Sequence, residues 1–311
     1  MRVMVLGGSG FIGNAVCQSL ADAGHRVISF DVEHPANCDE RITYITGDFF
    51  DYRALIESTK RVNCVIHGVS TVNPGNSNVK IEAGYSKDLM QSIRLLEYCA
   101  ETGKRVIFLS SGGTVYGRAT VVPTPEDTPL NPINHYGAVK ACIENAMCAF
   151  SIQNHAAMLV ARISNPYGPG QDYRRGVGFI DAAVRRALAG ETIEIWGDGQ
   201  TIRDYIHISD VARILTALVT YEGDQRVFNI GTGVGSSQIE VLSILQNMGL
   251  SPCVKYLPGR TVDIPISILN NSRILPLVQN GFISLESGVK DYVDWLSRHL
   301  ACSSFVPAQA G

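Results

Sequence analysis

Charge is scarce in this chain of 311 residues, and what there is nearly cancels. Asp, Glu, Lys and Arg make up 18% of it, with a formal net charge of −3. No run of Lys or Arg is longer than two residues. That leaves no electrostatic footprint for nucleic acid or for an anionic membrane surface. No apolar run approaches the ~18 residues of a membrane span. The opening stretch, Met1 to Leu6, meets glycines too soon for a signal peptide. The eight cysteines form no CxxC pair and have no histidine-rich neighbour, so neither a metal site nor a disulfide framework is expected. They read as reduced, small hydrophobic residues, which implies a cytoplasmic protein. Internal repeats and low-complexity segments are also lacking. With 45% hydrophobic residues, a soluble, packed globular fold is expected.

What is present is an alternation. Short β-branched runs at 2–6, 26–30, 42–46, 63–67, 105–109 and 157–161 are separated by amphipathic stretches, such as Asn14 to Ala23 and Ser86 to Glu101. This rhythm predicts an α/β fold, a doubly wound parallel sheet covered on both faces. It breaks after Asn165, at the turn-rich Pro166-Tyr167-Gly168-Pro169-Gly170. Residues 1–165 are therefore expected to form a Rossmann-type dinucleotide-binding domain. Residues 166–302 are expected to form a smaller, mixed substrate-binding part, some of which returns to the first domain. Residues 303–311 have the composition of a tail.

The first strand runs into Gly7-Gly8-Ser9-Gly10-Phe11-Ile12-Gly13 and then into a helix-like segment. Glycines spaced this way permit a tight turn, close approach of backbone N–H groups to a pyrophosphate, and tight packing of helix on strand. The pattern alone is weak; between a first strand and a first helix it is strong. The second strand ends at Asp31, where a carboxylate accepts ribose hydroxyls and repels a 2′-phosphate. Val32-Glu33-His34 offers no Lys or Arg to that phosphate. NAD is the expected cofactor. Asp48, at the end of the third strand, reads either as an acceptor for the adenine amino group or as an ordinary turn aspartate.

Tyr136 and Lys140 lie four residues apart, on one face of a helix. Upstream, Ser110-Ser111-Gly112-Gly113-Thr114-Val115-Tyr116-Gly117 follows the strand 105–109. In an open parallel sheet, ligands bind at that end. A phenol with pKa of about 10 is a poor base at neutral pH. A lysine ammonium and a nicotinamide cation beside it would favour the phenolate.

With these pieces the chain resembles the extended short-chain dehydrogenase/reductases, in the branch of sugar-nucleotide epimerases and dehydratases. Further matching segments are Asn165-Pro166-Tyr167-Gly168-Pro169, Gly197-Asp198-Gly199-Gln200, Arg203 to Ile208 with Asp210-Val211-Ala212, and Asn229-Ile230-Gly231-Thr232-Gly233. The resemblance implies that Tyr136 and Lys140 are the catalytic pair, with Lys140 also holding the nicotinamide ribose. It implies cofactor contacts at Gly7, Gly10, Phe11, Ile12, Gly13, Asp31 and Asp48. Asn165, Arg203, Arg260 and Asp263 correspond to positions that hold a nucleotide diphosphate, and Ser267 to the wall beside the sugar's C2 substituent. A homodimer is implied too, through the helices 86–101 and 136–151, with Leu89, Ile93, Leu96, Ile143, Met147 and Phe150 as apolar positions.

The departures narrow the chemistry. Gly112 stands where relatives carry a catalytic Ser or Thr, so the hydroxyl must come from Ser111, Thr114 or a water. Gly113 and Thr114 stand where dehydratases carry an Asp-Glu pair. Asp88 replaces an expected Asn. The expected activity is an NAD-dependent 4-epimerase of a nucleotide-diphosphate hexose, UDP-linked, acting through a transient 4-keto sugar. A C2 N-acetyl group is expected to fit beside Ser267. A uronic acid stays open because Arg174 and Arg175 lie in a neighbouring loop. The alternatives are a 4-keto sugar reductase and a non-catalytic NAD-sensing protein of the same fold.

Overall fold

The computed structural model describes residues 1–35, 38–171, 178–259 and 264–303. Its centre is a parallel sheet of seven strands: β1 (Arg2–Leu6), β2 (Arg26–Asp31), β3 (Ile42–Thr46), β4 (Cys64–His67), β5 (Arg105–Ser111), β6 (Met158–Ile163) and β10 (Val227–Ile230). The order across the sheet is β10-β6-β5-β4-β1-β2-β3. Chain direction across the sheet reverses between β1 and β4, which makes the carboxyl edge there a ligand-binding crevice. Every residue of β4 and β6 is buried, as a sheet covered on both sides requires. Alternate side chains divide the core. Val3, Val5, Ile107 and Leu109 face the helices α1 (Phe11–Asp22) and α6 (Ile208–Val219), and Met4, Leu6, Val106 and Phe108 face the opposite layer. That layer holds α2 (Tyr52–Thr59), α3 (Met90–Glu101) and α4 (His135–Asn154).

Two boundaries differ from the sequence reading in ways that matter. β5 and β6 each run two residues further, pairing Ser110 with Arg162 and Ser111 with Ile163. Ser111 is thus the last strand residue, not part of the turn. The stretch expected as one helix from Ser86 begins as a π-helical turn, Ala83–Leu89, before α3. Such turns are rare and often lie at functional sites.

The smaller part packs on its own core. It is built from α5 (Phe179–Ala189), α7 (Gln238–Asn247) and α8 (Leu285–Ser303), with the parallel pair β8 (Thr192–Trp196) and β12 (Cys253–Leu257). A mixed sheet joins it to the large one: β9 (Ile202–His207) pairs with β7 (Asn165–Tyr167), β11 (Gly235–Ser237) and β13 (Ile266–Ser267). α6 and β10 return to the large domain. α8 includes Ser303, one residue inside the expected tail; residues 304–311 lie outside those described.

Three side chains expected at a dimer contact are instead core. Leu96, Ile143 and Met147 are buried within the chain against the sheet. Helical spacing marks an apolar face but does not say what covers it. The cysteines also divide: Cys17, Cys64 and Cys99 are buried, whereas Cys38, Cys142, Cys148 and Cys253 are exposed, all as free thiols. Among the described residues no cluster suits a metal ion, and no helix is long and apolar enough to cross a membrane.

Candidate active site

The glycine turn closes over the end of β1 by Gly7 N–H donating to the Phe30 carbonyl (2.9 Å) and Gly10 N–H to that of Gly7 (3.1 Å). Gly13 presses on the turn so closely that a Cβ would collide with the Gly7 carbonyl. Gly10 is the N-cap of α1 and offers no side-chain acceptor, so the first-turn N–H groups, from Phe11 onward, are left for a ligand. No acidic residue occupies that turn. This is an anion cradle of the kind a dinucleotide pyrophosphate fits.

Asp31, at the end of β2, accepts from Ser9 N–H (3.0 Å) and Val32 N–H (2.7 Å), which ties it to the turn. Those bonds leave lone pairs on both oxygens for ribose hydroxyls. The protein is expected to bind NAD at least tenfold more tightly than NADP, and Asp31→Ala to shrink that preference. Titration showing equal affinities in the unaltered protein would contradict the role of the carboxylate. Asp48 is exposed and accepts from Phe50 N–H (2.9 Å), the local geometry of a turn aspartate.

The second cluster forms where β5 meets α4. Asn134 caps α4 by accepting from Gly137 N–H (2.8 Å). Gly137 lets the helix lie against the Thr114 carbonyl, where a Cβ would sit at 2.8 Å. The first turn of α4 therefore lies over the end of β5. Tyr136 is half-buried there, with the Ser111 hydroxyl near enough to its phenol to oppose the effect of burial on it. Thr114 turns away, its Oγ1 directed to the Ser111 carbonyl at 3.4 Å. Of the two protein hydroxyls considered from the sequence, Ser111 is the one brought to Tyr136.

Lys140 is buried one turn further along. Its Nζ donates to the Leu109 carbonyl (2.9 Å) and lies 4.6 Å from the centre of the Phe108 ring and 5.5 Å from that of Tyr136. Burial lowers it to about 8, opposed by the carboxylates of Asp88 and Glu144. The Tyr136 phenol moves opposite to the sequence expectation. Burial pushes it up to about 12, Asp88 adds to the rise, and the nearby Ser111 hydroxyl lowers it. Lys140 Nζ lies beside the Tyr136 ring, and of the groups acting on the phenol only the neutral Ser111 hydroxyl lowers it.

Beneath this pair lies a network that the sequence reading missed. Arg162 donates to Glu144 through Nε (3.0 Å) and Nη2 (2.7 Å), and to the Tyr116 hydroxyl and Glu126 carbonyl through Nη1. Ser110 hydrogen-bonds the other oxygen of Glu144. Removing one partner of such a buried pair typically costs ~3–5 kcal/mol. It pins α4 to β5 and β6 just behind Ser111 and Lys140. The available signal was an arginine inside an otherwise apolar strand.

A cavity of about 260 Å³ opens against the mixed sheet of the smaller part, lined by Asn165, Phe179, Trp196, Arg203 and Gln238 among others. Asn165 Nδ2 donates to the Asp204 carbonyl (3.1 Å), and Arg203 Nη1 to those of Ile202 (2.8 Å) and Ile264 (2.7 Å). Ser267 sits on β13 in register with Arg203 and is partly buried. Arg260, Asp263, Arg174 and Arg175 lie outside the described residues.

A parallel doubly wound sheet, an anion cradle after β1, and a tyrosine–serine–lysine group at the end of β5 define a class: dinucleotide-dependent enzymes that move a proton and a hydride at one carbon. Comparison with known proteins makes the assignment specific. The chain belongs to the NAD dependent epimerase/dehydratase family, whose model matches residues 3–231. It is 31% identical over 245 residues to a dTDP-4-dehydro-6-deoxyglucose reductase of Escherichia coli, covering 74% of this chain and 76% of that protein. It is 29% identical over 285 residues to a UDP-glucose 4-epimerase of Mycolicibacterium smegmatis, covering 88% and 91%. The crystal structure of a Thermotoga maritima UDP-glucose 4-epimerase with UDP-glucose superposes with a TM-score of 0.89. That match has 31% identity and covers 96% of this chain and 100% of that one.

Proposed function

We propose that this protein is an NAD-dependent 4-epimerase of a nucleotide-diphosphate hexose, UDP-linked. One observation carries the proposal: Tyr136, with the Ser111 hydroxyl and Lys140 beside it, stands next to a turn, Gly112-Gly113-Thr114, that offers no acid or base. A dehydratase needs further proton-transfer groups on the sugar, whereas epimerisation at C4 needs one. Tyr136 accepts the proton of the 4-hydroxyl as that carbon is oxidised and returns it when the carbon is reduced from the other face. Ser111 orients the phenol, and Lys140 is suited to hold the nicotinamide ribose. NAD, when bound in the Gly7–Gly13 cradle, supplies the hydride acceptor and then the donor. Asn165 and Arg203, in the wall of the cavity, are suited to the diphosphate.

The test is a panel of UDP-hexoses, UDP-N-acetylhexosamines and UDP-uronic acids followed by NMR of the anomeric region. Interconversion of C4 epimers with no net change in nicotinamide absorbance is expected. Stoichiometric loss of that absorbance when NADH is supplied with a 4-keto nucleotide sugar would establish instead the second reading, a 4-keto sugar reductase, which the named activity of the Escherichia coli relative favours.

The small side chain of Ser267 next to Arg203 supports a roomy C2 pocket. UDP-N-acetylhexosamines are expected to turn over at least as fast as UDP-hexoses. Ser267→Tyr is expected to slow only the acetylated substrates, by an overpacking cost of ~1–3 kcal/mol, or roughly 5–150-fold. Paired kinetics in which the tyrosine leaves them untouched would place the wall elsewhere. We further read the enzyme as a cytoplasmic homodimer. Free thiols at Cys17, Cys38, Cys64, Cys99, Cys142, Cys148 and Cys253 support the compartment. Met90 on α3 and Ile152 on α4, both exposed, support a partner contact on those helices.

A further inference from the structure

Asp204 follows Arg203 on β9 and is fully buried, at 0% exposure. Its Oδ1 accepts from Thr232 N–H (2.9 Å) and Thr232 Oγ1 (2.8 Å). Its Oδ2 accepts from Gly233 N–H (3.2 Å) and Leu269 N–H (3.3 Å). These donors are all neutral, and they steady the ionised form against the burial that pushes its pKa up. Gly231 leaves the room this takes, since a Cβ there would lie 2.3 Å from Oδ2. The main chain of Asp204 is engaged as well, its carbonyl accepting from Asn165 Nδ2 (3.1 Å). One residue thus touches Asn165, adjoins Arg203 and grips two distant segments, Thr232-Gly233 and Leu269. Asn165 and Arg203 line the 260 Å³ cavity, whereas Thr232, Gly233 and Leu269 do not. Leu269 continues the connection towards the turn after β5: it packs on Val115 and Tyr116 and lies against Gly112.

We propose that Asp204 is a positioning residue for diphosphate binding, fixing Arg203 and Asn165 in the cavity wall and tying them, through Leu269, to the turn that follows Ser111. The inference rests on the reading of Arg203 and Asn165 as diphosphate ligands. A carboxylate is required because both of its oxygens face N–H donors. An Asn amide presents an acceptor at one end only. Turned either way, its Nδ2 meets the N–H of Thr232 or those of Gly233 and Leu269, donor against donor. The turn at 232–233 or Leu269 must then move off, and β9 loses the contacts that hold Arg203 in place.

The experiment is calorimetric titration of the NAD-loaded protein with UDP, which carries the diphosphate without the sugar, beside a separate titration with NAD. The proteins are the unaltered chain, Asp204→Asn and Arg203→Gln. Asp204→Asn is expected to weaken UDP by about tenfold, the scale of a disturbed charge-assisted hydrogen bond, and to leave NAD unchanged. Unchanged UDP affinity would overturn the proposal. So would UDP and NAD weakened together, which reports a general loosening of the fold. Hydrogen exchange of the unaltered protein decides the matter if Asp204→Asn does not fold. UDP should slow the amides of Thr232, Gly233 and Leu269 without touching them, because a ligand and the element that positions its site stabilise each other; NAD should not. Amides that UDP leaves unchanged, or that both ligands slow alike, would overturn the proposal as well. Arg203→Gln separates the two levels. If it binds UDP as tightly as the unaltered protein, the diphosphate reading falls; if it binds weakly while Asp204→Asn does not, only the role of Asp204 falls.

Discussion

Tyr136→Phe is expected to lower kcat by about 10²–10⁴-fold, the usual contribution of a positioned general base. NAD content and fold should remain close to normal, because the substitution removes one oxygen from a half-buried ring. The lost interaction with the Ser111 hydroxyl costs at most the ~0.5–1.5 kcal/mol of one hydrogen bond, within the margin of a domain this size. KM should change little, since the phenol acts on the proton in flight more than on the bound sugar. Steady-state kinetics with bound NAD quantified on the same preparation make the measurement clean. A variant retaining more than about a tenth of the activity would be inconsistent with a base of this kind.

The elements that the sequence made legible were those with strong local physics. Strands β1 and β3 were read with their observed limits because β-branched runs in a doubly covered sheet need no partner to be recognised. The glycine cradle was legible for the same reason, since its steric demands lie within seven residues. Long-range relations were not legible. That Ser111 and not Thr114 meets Tyr136 depends on β5 extending to pair with Ile163, which only β6 can dictate. Leu96, Ile143 and Met147 have the right spacing for an interface and are consumed by the sheet instead. Asp88 stood out in the sequence as an odd residue without a role. Its meaning depends on Ser70 and Thr71 folding over it. In the smaller part, strands as short as Ile266–Ser267 carry no period at all, so its mixed sheet had no signature.

The position of the hydroxyl gives the second large effect. Ser111→Ala is expected to lower kcat by about 10²–10³-fold, as removal of a preorganised donor at a reacting oxygen does. Moving the hydroxyl one residue onward should not restore it. In Ser111→Ala/Gly112→Ser the new Cβ would meet Leu269 Cδ1 at 2.5 Å, Leu269 Cδ2 at 3.1 Å and the Arg162 carbonyl oxygen at 3.2 Å. The backbone cannot retreat, because Gly112 N–H is bonded to the Ile163 carbonyl at 2.8 Å. Leu269 is buried against Val115 and Tyr116, so it can make room only by losing that packing. Such overpacking costs ~1–3 kcal/mol, which a lowered Tm will report. Adding Leu269→Ala opens the space, and recovery of activity is expected only in that triple variant. Thr114→Val is the control, because its hydroxyl serves the Ser111 carbonyl and not the phenol. If Ser111→Ala turns over near the unaltered rate, or the double variant recovers without Leu269→Ala, the catalytic hydroxyl does not come from position 111.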